Sequence, residues 1–159
     1  MRALSVVHRD LKPENVLCKS PISPDNSEMC KLTDFGTSRT TLREVTLTMT
    51  KGLGTPLYMA PEILSGQRHY NSSVDVYSYG ILCACVWNDG TTPYMEFNFQ
   101  SPLELQNAIV SGIRPTLMYD MPPELLELID RALSHRPECR PSFEELGNVT
   151  DKLFPQFIE

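Results

Sequence analysis

The sequence is poor in positive charge. It has 14 Lys and Arg against 20 Asp and Glu, a net charge of −6. With no basic surplus to neutralise phosphates, this composition argues against broad binding to nucleic acid or to anionic membrane surfaces. Long hydrophobic runs are lacking too. The longest, "VYSYGILCACVW" at 76–87, is too short to span a bilayer, which takes ~20 residues. No charged-then-apolar leader opens the sequence, so no secretory signal is expected and a cytoplasmic location is. Five cysteines are present: Cys18, Cys30, Cys83, Cys85 and Cys139. Their number is odd, and no C-x-x-C pair or spaced Cys/His quartet occurs. Neither a zinc site nor a disulfide framework is expected, and free reduced thiols are. His69 and His135 carry no partner pattern and are expected at the surface. Internal repeats and low-complexity tails are absent.

What is there suits one domain with a real core: 159 residues, 41% hydrophobic and 21% charged. "NVLCKS" at 15–20 and "CKLTDF" at 30–35 are runs of strand type. The Ser-, Pro- and Asp-rich "SPISPDNSEM" between them makes a hairpin with an extended loop. Residues 37–54 hold six threonines and Ser38 with little periodicity. They read as a long loop, and loops of that length are usually functional.

After residue 72 the pattern turns helical. "SSVDVYSYGILCACVW" is apolar on every face and predicts a buried central helix. "SPLELQNAIVSG" offers Ser101 and Glu104 as a capping box, Pro102 in the first turn and Gly112 as a stop. "PELLELIDRALS" places Leu125, Ile129 and Leu133 on one stripe. "SFEELGNVTDKLF" opens with Ser142 and Glu145 as a second capping box and puts Phe143, Leu146, Val149 and Leu153 on one face. The predicted order is a small β element, a long loop and a helical bundle over 72–154.

The chemistry gathers in two short stretches. In "HRDLKPEN", residues 8–15, Asp10 is a carboxylate able to accept a proton from an alcohol. Asn15, five positions on, offers an amide oxygen to a metal. Asp34, in "DFG" after the second strand run, offers another hard oxygen, and such donors suit Mg²⁺. Lys12 supplies a cation against a phosphoryl group in transfer. Base, metal ligands and cation together fit phosphoryl transfer to a hydroxyl, which rests on positioning and electrostatics.

"HRDLKPEN", "DFG", "GTPLYMAPE", "DVYSYGI" and "RPSF" follow one another in the order of the eukaryotic protein kinase catalytic domain, and the chain resembles the large C-terminal lobe of that family from residue 8 to residue 143. The resemblance implies an α+β, protein-kinase-like fold, mostly helical with a small β-hairpin. It implies a catalytic loop at 8–15, an activation segment at 34–62, ATP and Mg²⁺ as cofactors, and a protein carrying a Ser or Thr acceptor as partner. Lys12 and "GTPLY" resemble the Ser/Thr type, while "DFGTSR" and "CRPSF" lean toward its tyrosine-kinase-like branch. By position, Asp10 looks like the catalytic base and Asn15 and Asp34 like metal ligands. Lys12 is similar to the lysine that contacts the transferred phosphate, and Leu17 joins Lys12, Asn15 and Asp34 in the nucleotide-binding set. Thr55 is expected to help position Asp10 and Lys12. Arg9 resembles the arginine that pairs with a phosphate on the activation loop, for which Thr46, Thr48 and Thr50 are the candidate acceptors. His8 is expected to pack against Phe35 of the Phe35–Gly36 pair. Glu62 and Arg140 are expected as a buried ion pair, and Asp75 as the anchor of the "HRD" backbone.

The family's small lobe, with its Gly-rich loop, strand lysine and partner glutamate, does not fit in the seven residues before His8, and no G-x-G-x-x-G occurs in the chain. The expectation is therefore a large lobe without its small lobe, inactive by itself and exposing an apolar seam. Two other classes remain open: a catalytically inactive kinase-like binding module, and a small-molecule phosphotransferase of similar fold. "GTPLYMAPE", which in the family builds a peptide-binding platform, speaks against the last.

Overall fold

The computed structural model describes residues 6–18, 30–37, 39–40, 56–68, 70–117 and 120–153. Strand β1 is Val6–Val7, β2 is Val16–Cys18, β3 is Cys30–Leu32 and β4 is Arg39–Thr40. The helices are α1 (Pro61–Leu64), α2 (Ser73–Trp87), α3 (Pro102–Val110), α4 (Pro123–Ala132) and α5 (Phe143–Leu153). The expected hairpin is present: β2 and β3 pair antiparallel in the register Val16↔Leu32, Leu17↔Lys31, Cys18↔Cys30. A second two-stranded ladder, β1 with β4, pairs Val6 with Thr40 and Val7 with Arg39. It places a strand inside the stretch read from sequence as loop. Two-residue strands carry too little alternation to be seen as a pattern.

α2 is the axis of the fold. Tyr77, Ile81 and Val74 on it, with Ile109 of α3, are the largest fully buried side chains. Around them pack Leu105, Leu125, Ile129 and Leu133 from α3, α4 and the residue after α4. A second cluster joins Val76 of α2 to Leu128 and Ala132 of α4 and Leu146 of α5. α2 lies so close to α4 that a Cβ added at Gly80 would sit 3.0 Å from Leu133 and 3.1 Å from the Ala132 Cβ. The expectation of burial on every face of α2 is corrected at its last turn, where Val86 is 68% exposed.

The helix ends follow the local chemistry. The Glu104 amide donates to Ser101 Oγ at 3.2 Å and the Glu145 amide to Ser142 Oγ at 3.1 Å. The reciprocal half of each box goes elsewhere. The Glu104 carboxylate accepts from the Gln100 amide, and that of Glu145 from Arg131. α3 stops at Gly112, whose φ of +106° suits a residue without a Cβ. The Ile113 amide then closes onto the Ala108 carbonyl at 2.9 Å. Leu125, Ile129 and Leu133 are buried on one stripe, joined by Leu128. Phe143 departs from its expected packed face. As the first residue of α5 it is 45% exposed, with its ring edge-on to Tyr79 at 6.0 Å.

The cysteine expectation is corrected as well. Cys18 and Cys30 form a disulfide, while Cys83, Cys85 and Cys139 are free. His135 is exposed, and His69 lies outside the described residues. Among the described residues no helix is long and apolar enough to cross a membrane.

Candidate active site

The site hangs from α2. Asp75, buried in its first turn, accepts the His8 amide on Oδ2 at 2.7 Å and the Arg9 amide on Oδ1 at 2.8 Å. Burial pushes the Asp75 carboxyl above its ordinary range, and the two amides pull it back down. Those amides hold Arg9 at φ +68°, a left-handed conformation that a non-glycine residue adopts at a cost of about 1–3 kcal/mol.

His8 fixes the next turn of the loop. Its Nδ1 accepts the Asp10 amide at 3.3 Å and its Nε2 lies 2.9 Å from the Thr33 carbonyl. A carbonyl only accepts, so this pattern places the ring proton on Nε2. The ring also meets Phe35 edge-on, with centroids 4.8 Å apart. One side chain thus links the loop after β1 to the segment after β3.

Asp10, Lys12 and Asn15 form one cluster. Lys12 Nζ lies 2.9 Å from Asp10 Oδ2. Asn15 Nδ2 donates to the same oxygen at 3.0 Å and to the Asp10 carbonyl at 2.7 Å. The short 3₁₀ turn Pro13–Asn15 brings Asn15 back, its amide closing on the Lys12 carbonyl at 3.0 Å. Because the Asn15 nitrogen is turned to Asp10, its other terminal atom, Oδ1, is the hard donor suited to a metal ion. The hairpin then brings the second candidate ligand alongside. The Thr33 amide donates to the Asn15 carbonyl at 3.0 Å, so Asp34 follows directly on the paired strand. Asp34 is left-handed at φ +59°, and its Oδ1 accepts the Gly36 amide at 3.3 Å. A Cβ on Gly36 would stand 3.1 Å from that same oxygen. Among the described residues no group of three His, Cys, Asp or Glu could hold a metal. Any metal site here is an Asn–Asp pair that leaves further positions to water and phosphate.

Glu62, in α1, and Arg140, after the turn Pro137–Cys139, form a bidentate pair: Nη1 to Oε1 at 2.6 Å and Nη2 to Oε2 at 2.8 Å, with side chains 4% and 0% exposed. Arg140 also donates to the carbonyls of Ser134 and Ser73, each at 3.0 Å, and lies over the Tyr77 ring at 5.1 Å. The end of "GTPLYMAPE" is thereby tied to both α2 and the α4–α5 connection. Arg9 Nη1 reaches the Tyr70 hydroxyl at 3.4 Å, and its buried Nε has no hydrogen-bond partner among the described residues. Leu17 is 59% exposed and Phe35 53%. Phe35, Val6 and Leu32 line a cavity of about 460 Å³ under the hairpin, whereas Leu17, one position off Val16 in the ladder, points to the hairpin's opposite face. Thr55, Thr46, Thr48 and Thr50 lie outside the described residues.

Several supporting residues escaped the sequence reading. Ser78 Oγ donates to the Tyr58 carbonyl at 2.7 Å, fastening the Pro56–Tyr58 turn to α2. Arg114 donates to the carbonyls of Leu133, Ile109 and Ile113 and lies over the same Tyr77 ring at 5.1 Å. Neither has a local pattern. A lone Arg after a helix stop was the only hint of the second.

Residues 1–150 match the protein kinase domain family. Among curated proteins the chain is similar to Cyclic GMP-binding protein C of Dictyostelium discoideum, 37% identical over 94% of this chain and 6% of that protein. It is similar to a probable LIM domain-containing serine/threonine-protein kinase of the same organism, 34% identical over 96% of this chain and 22% of the relative. Serine/threonine-protein kinase STY46 of Arabidopsis thaliana is 35% identical over 89% of this chain and 23% of its own length. The chain therefore spans less than a quarter of each of these three relatives. With 150 of its 159 residues matched, the chain belongs to the protein kinase domain family.

Proposed function

We propose that this chain is the catalytic lobe of a protein serine/threonine kinase, which transfers the terminal phosphate of ATP to Ser or Thr hydroxyls of proteins in the cytoplasm. The observation that carries the reading is the cluster of Asp10, Lys12 and Asn15, held by Asp75 from the buried helix α2. Among the described residues both side-chain contacts to the Asp10 carboxylate fall on Oδ2, and we assign Oδ1 to receive the proton of the acceptor hydroxyl. Lys12 screens negative charge beside that oxygen. Asn15 Oδ1 and the Asp34 carboxylate are the oxygens that hold Mg²⁺, and Leu17 belongs to the nucleotide's surroundings. When bound, the ion neutralises phosphate oxygens and fixes their orientation. Thr55 is assigned to positioning Asp10 and Lys12.

The three relatives, two named as kinases and one as a cyclic GMP-binding protein, carry much more chain than this one. A small lobe that covers the nucleotide belongs, in this proposal, to a neighbouring part of the protein. The 159 residues alone are then inactive. Arg9, whose buried Nε has no partner among the described residues, supports a phosphate on Thr46, Thr48 or Thr50 as the loop-ordering signal. The tyrosine-kinase-like branch is the finer placement.

The test is Asp10→Asn in protein that carries the small lobe. Turnover on a Ser/Thr peptide should fall by about 10²–10⁴, the usual worth of a general base, with nucleotide affinity changed by less than about threefold. Wild-type turnover in this variant would show that Asp10 is not the base. No turnover in the unmutated protein, with substrate peptides still bound, would favour the inactive binding module.

A further inference from the structure

We propose that Cys18 and Cys30 form a reversible redox site, a thiol–disulfide couple that fastens the loop end of the β2–β3 hairpin. The register makes the case. Antiparallel pairs alternate between hydrogen-bonded and closer, non-hydrogen-bonded types, the latter with Cα atoms about 4.5 Å apart. Thr33 donates to Asn15 across the ladder, so that pair is hydrogen-bonded. Counting along the register, Val16↔Leu32 is non-hydrogen-bonded, Leu17↔Lys31 hydrogen-bonded and Cys18↔Cys30 non-hydrogen-bonded. The two Cα atoms are 4.2 Å apart. The sulfurs meet because two independent features coincide: the strand alternation and a cysteine on each strand at directly opposed positions.

Access and position give the pairing a consequence. Both residues are exposed, within reach of a small thiol or disulfide. Cys85 is buried, and Cys83 is half-buried with its thiol pushed up to about 11 by desolvation. Neither competes in exchange, which proceeds through thiolates. The ladder has only three residue pairs, and a short two-stranded ladder is marginal without outside support. The disulfide clamps one end of it, and Asn15 and Asp34 flank the other. In a cytoplasmic protein, disulfides are mostly transient or redox-sensing, which makes the reversible form the consistent one.

The chemistry balances with oxidised glutathione as oxidant. One cysteine thiolate attacks a glutathione sulfur and releases one glutathione thiolate, leaving a mixed disulfide. The other cysteine thiolate attacks the protein sulfur of that bond and expels the second glutathione thiolate. The two protons lost by the cysteines end on two glutathione thiols, and the two cysteines are oxidised by two electrons.

The experiment equilibrates the full chain in glutathione buffers of graded ratio, quenches with acid, alkylates and digests with trypsin. Lys12 precedes Pro13, so cleavage separates the two cysteines into peptides 10–19 and 20–31. The expected result is a cross-linked 10–19/20–31 species that disappears at a single midpoint. That midpoint should not depend on protein concentration and should be unmoved by Cys139→Ser. Separate alkylated or glutathionylated peptides at every ratio, or a cross-link to Cys139 or to a second chain, would overturn the proposal. A second readout is hydrogen exchange of the Thr33 amide, expected to accelerate by about tenfold on reduction and likewise in Cys30→Ser. Unchanged exchange in both would show that the bond does not fasten the hairpin. Neither readout needs nucleotide or turnover, so failure here is distinguishable from failure of the kinase reading.

Discussion

Truncating Glu62 should cost a large part of the stability of the chain. The Glu62–Arg140 pair is dry, with side-chain exposures of 4% and 0%, and it is bidentate at 2.6 and 2.8 Å. Hydrogen bonds to charged groups contribute about 1.5–3 kcal/mol each, so two give roughly 3–6. Removing one partner from a buried pair independently costs about 3–5 kcal/mol, because the other charge stays behind without solvent. The two routes overlap at about 3–5 kcal/mol, a large share of the ~5–15 kcal/mol of a typical domain. Glu62→Ala leaves Arg140 its bonds to Ser134 and Ser73 and the Tyr77 face. Arg140→Ala leaves the Glu62 carboxylate buried and also strips those two carbonyls. The expected order of loss is Glu62→Gln, then Glu62→Ala, then Arg140→Ala. The assay is urea denaturation of the chain followed by circular dichroism, with the double variant closing a cycle. A thermal scan should show Glu62→Ala lower by about 6–20 °C, at roughly 2–4 °C per kcal/mol for this size. Single losses under about 1 kcal/mol that simply add in the double variant would refute the reasoning, since that is how an exposed pair behaves.

Gly80→Ala should destabilise the chain by about 1 kcal/mol. Crowding against Ala132 and Leu133 costs about 1–3 and the gain in helix propensity returns about 0.5–1; a rise in the urea midpoint would mean that α2 and α4 can part freely. Cys83 should alkylate slowly at pH 8. Its thiol, raised to about 11 from 9.0, is about 0.1% ionised against about 9% for an ordinary thiol, so the rate should be roughly 90-fold lower and should climb until the pH passes that value. An alkylation rate at pH 8 equal to that of a small free thiol sinks this expectation. A combined Thr46→Ala, Thr48→Ala and Thr50→Ala variant of the longer protein should lose peptide turnover, and mass spectrometry of the wild type should find phosphate on at least one of these residues. Full activity in the variant, with no phosphate found, removes the role assigned to Arg9.

Much of the fold was legible because its signals are local. The capping serines, Gly112 and the leucine stripe of α4 each depend on a few neighbouring residues, and all are in place. The motifs located the candidate site residues, and the contacts of His8 with Phe35 and of Asp75 with the loop amides are those the resemblance implied. What escaped is non-local. The Cys18–Cys30 bond was hidden by an odd cysteine count, although both strands of the hairpin had been located. Only counting the register outward from Asn15 and Thr33 sets the two opposite each other. β4 is too short for periodicity, and Arg114 finds its three carbonyls only once α3 and α4 are folded together.

α2 explains why the site can be rigid although its residues sit on loops. Within six positions of one helix, four residues each hold a different element. Asp75 takes two amides of the loop that carries Asp10, Tyr77 is the ring over which both Arg114 and Arg140 lie, Ser78 holds the Tyr58 carbonyl, and Gly80 admits α4. Consecutive residues on a helix point in different directions, so a helix that serves several neighbours must be buried on several faces and cannot be amphipathic. The lack of a polar face that marked "SSVDVYSYGILCACVW" in the sequence is the same property as its role in the structure. The loop carrying Asp10 is then anchored to the most buried element of the fold, which is what the base proposed at Asp10 would require to keep its geometry.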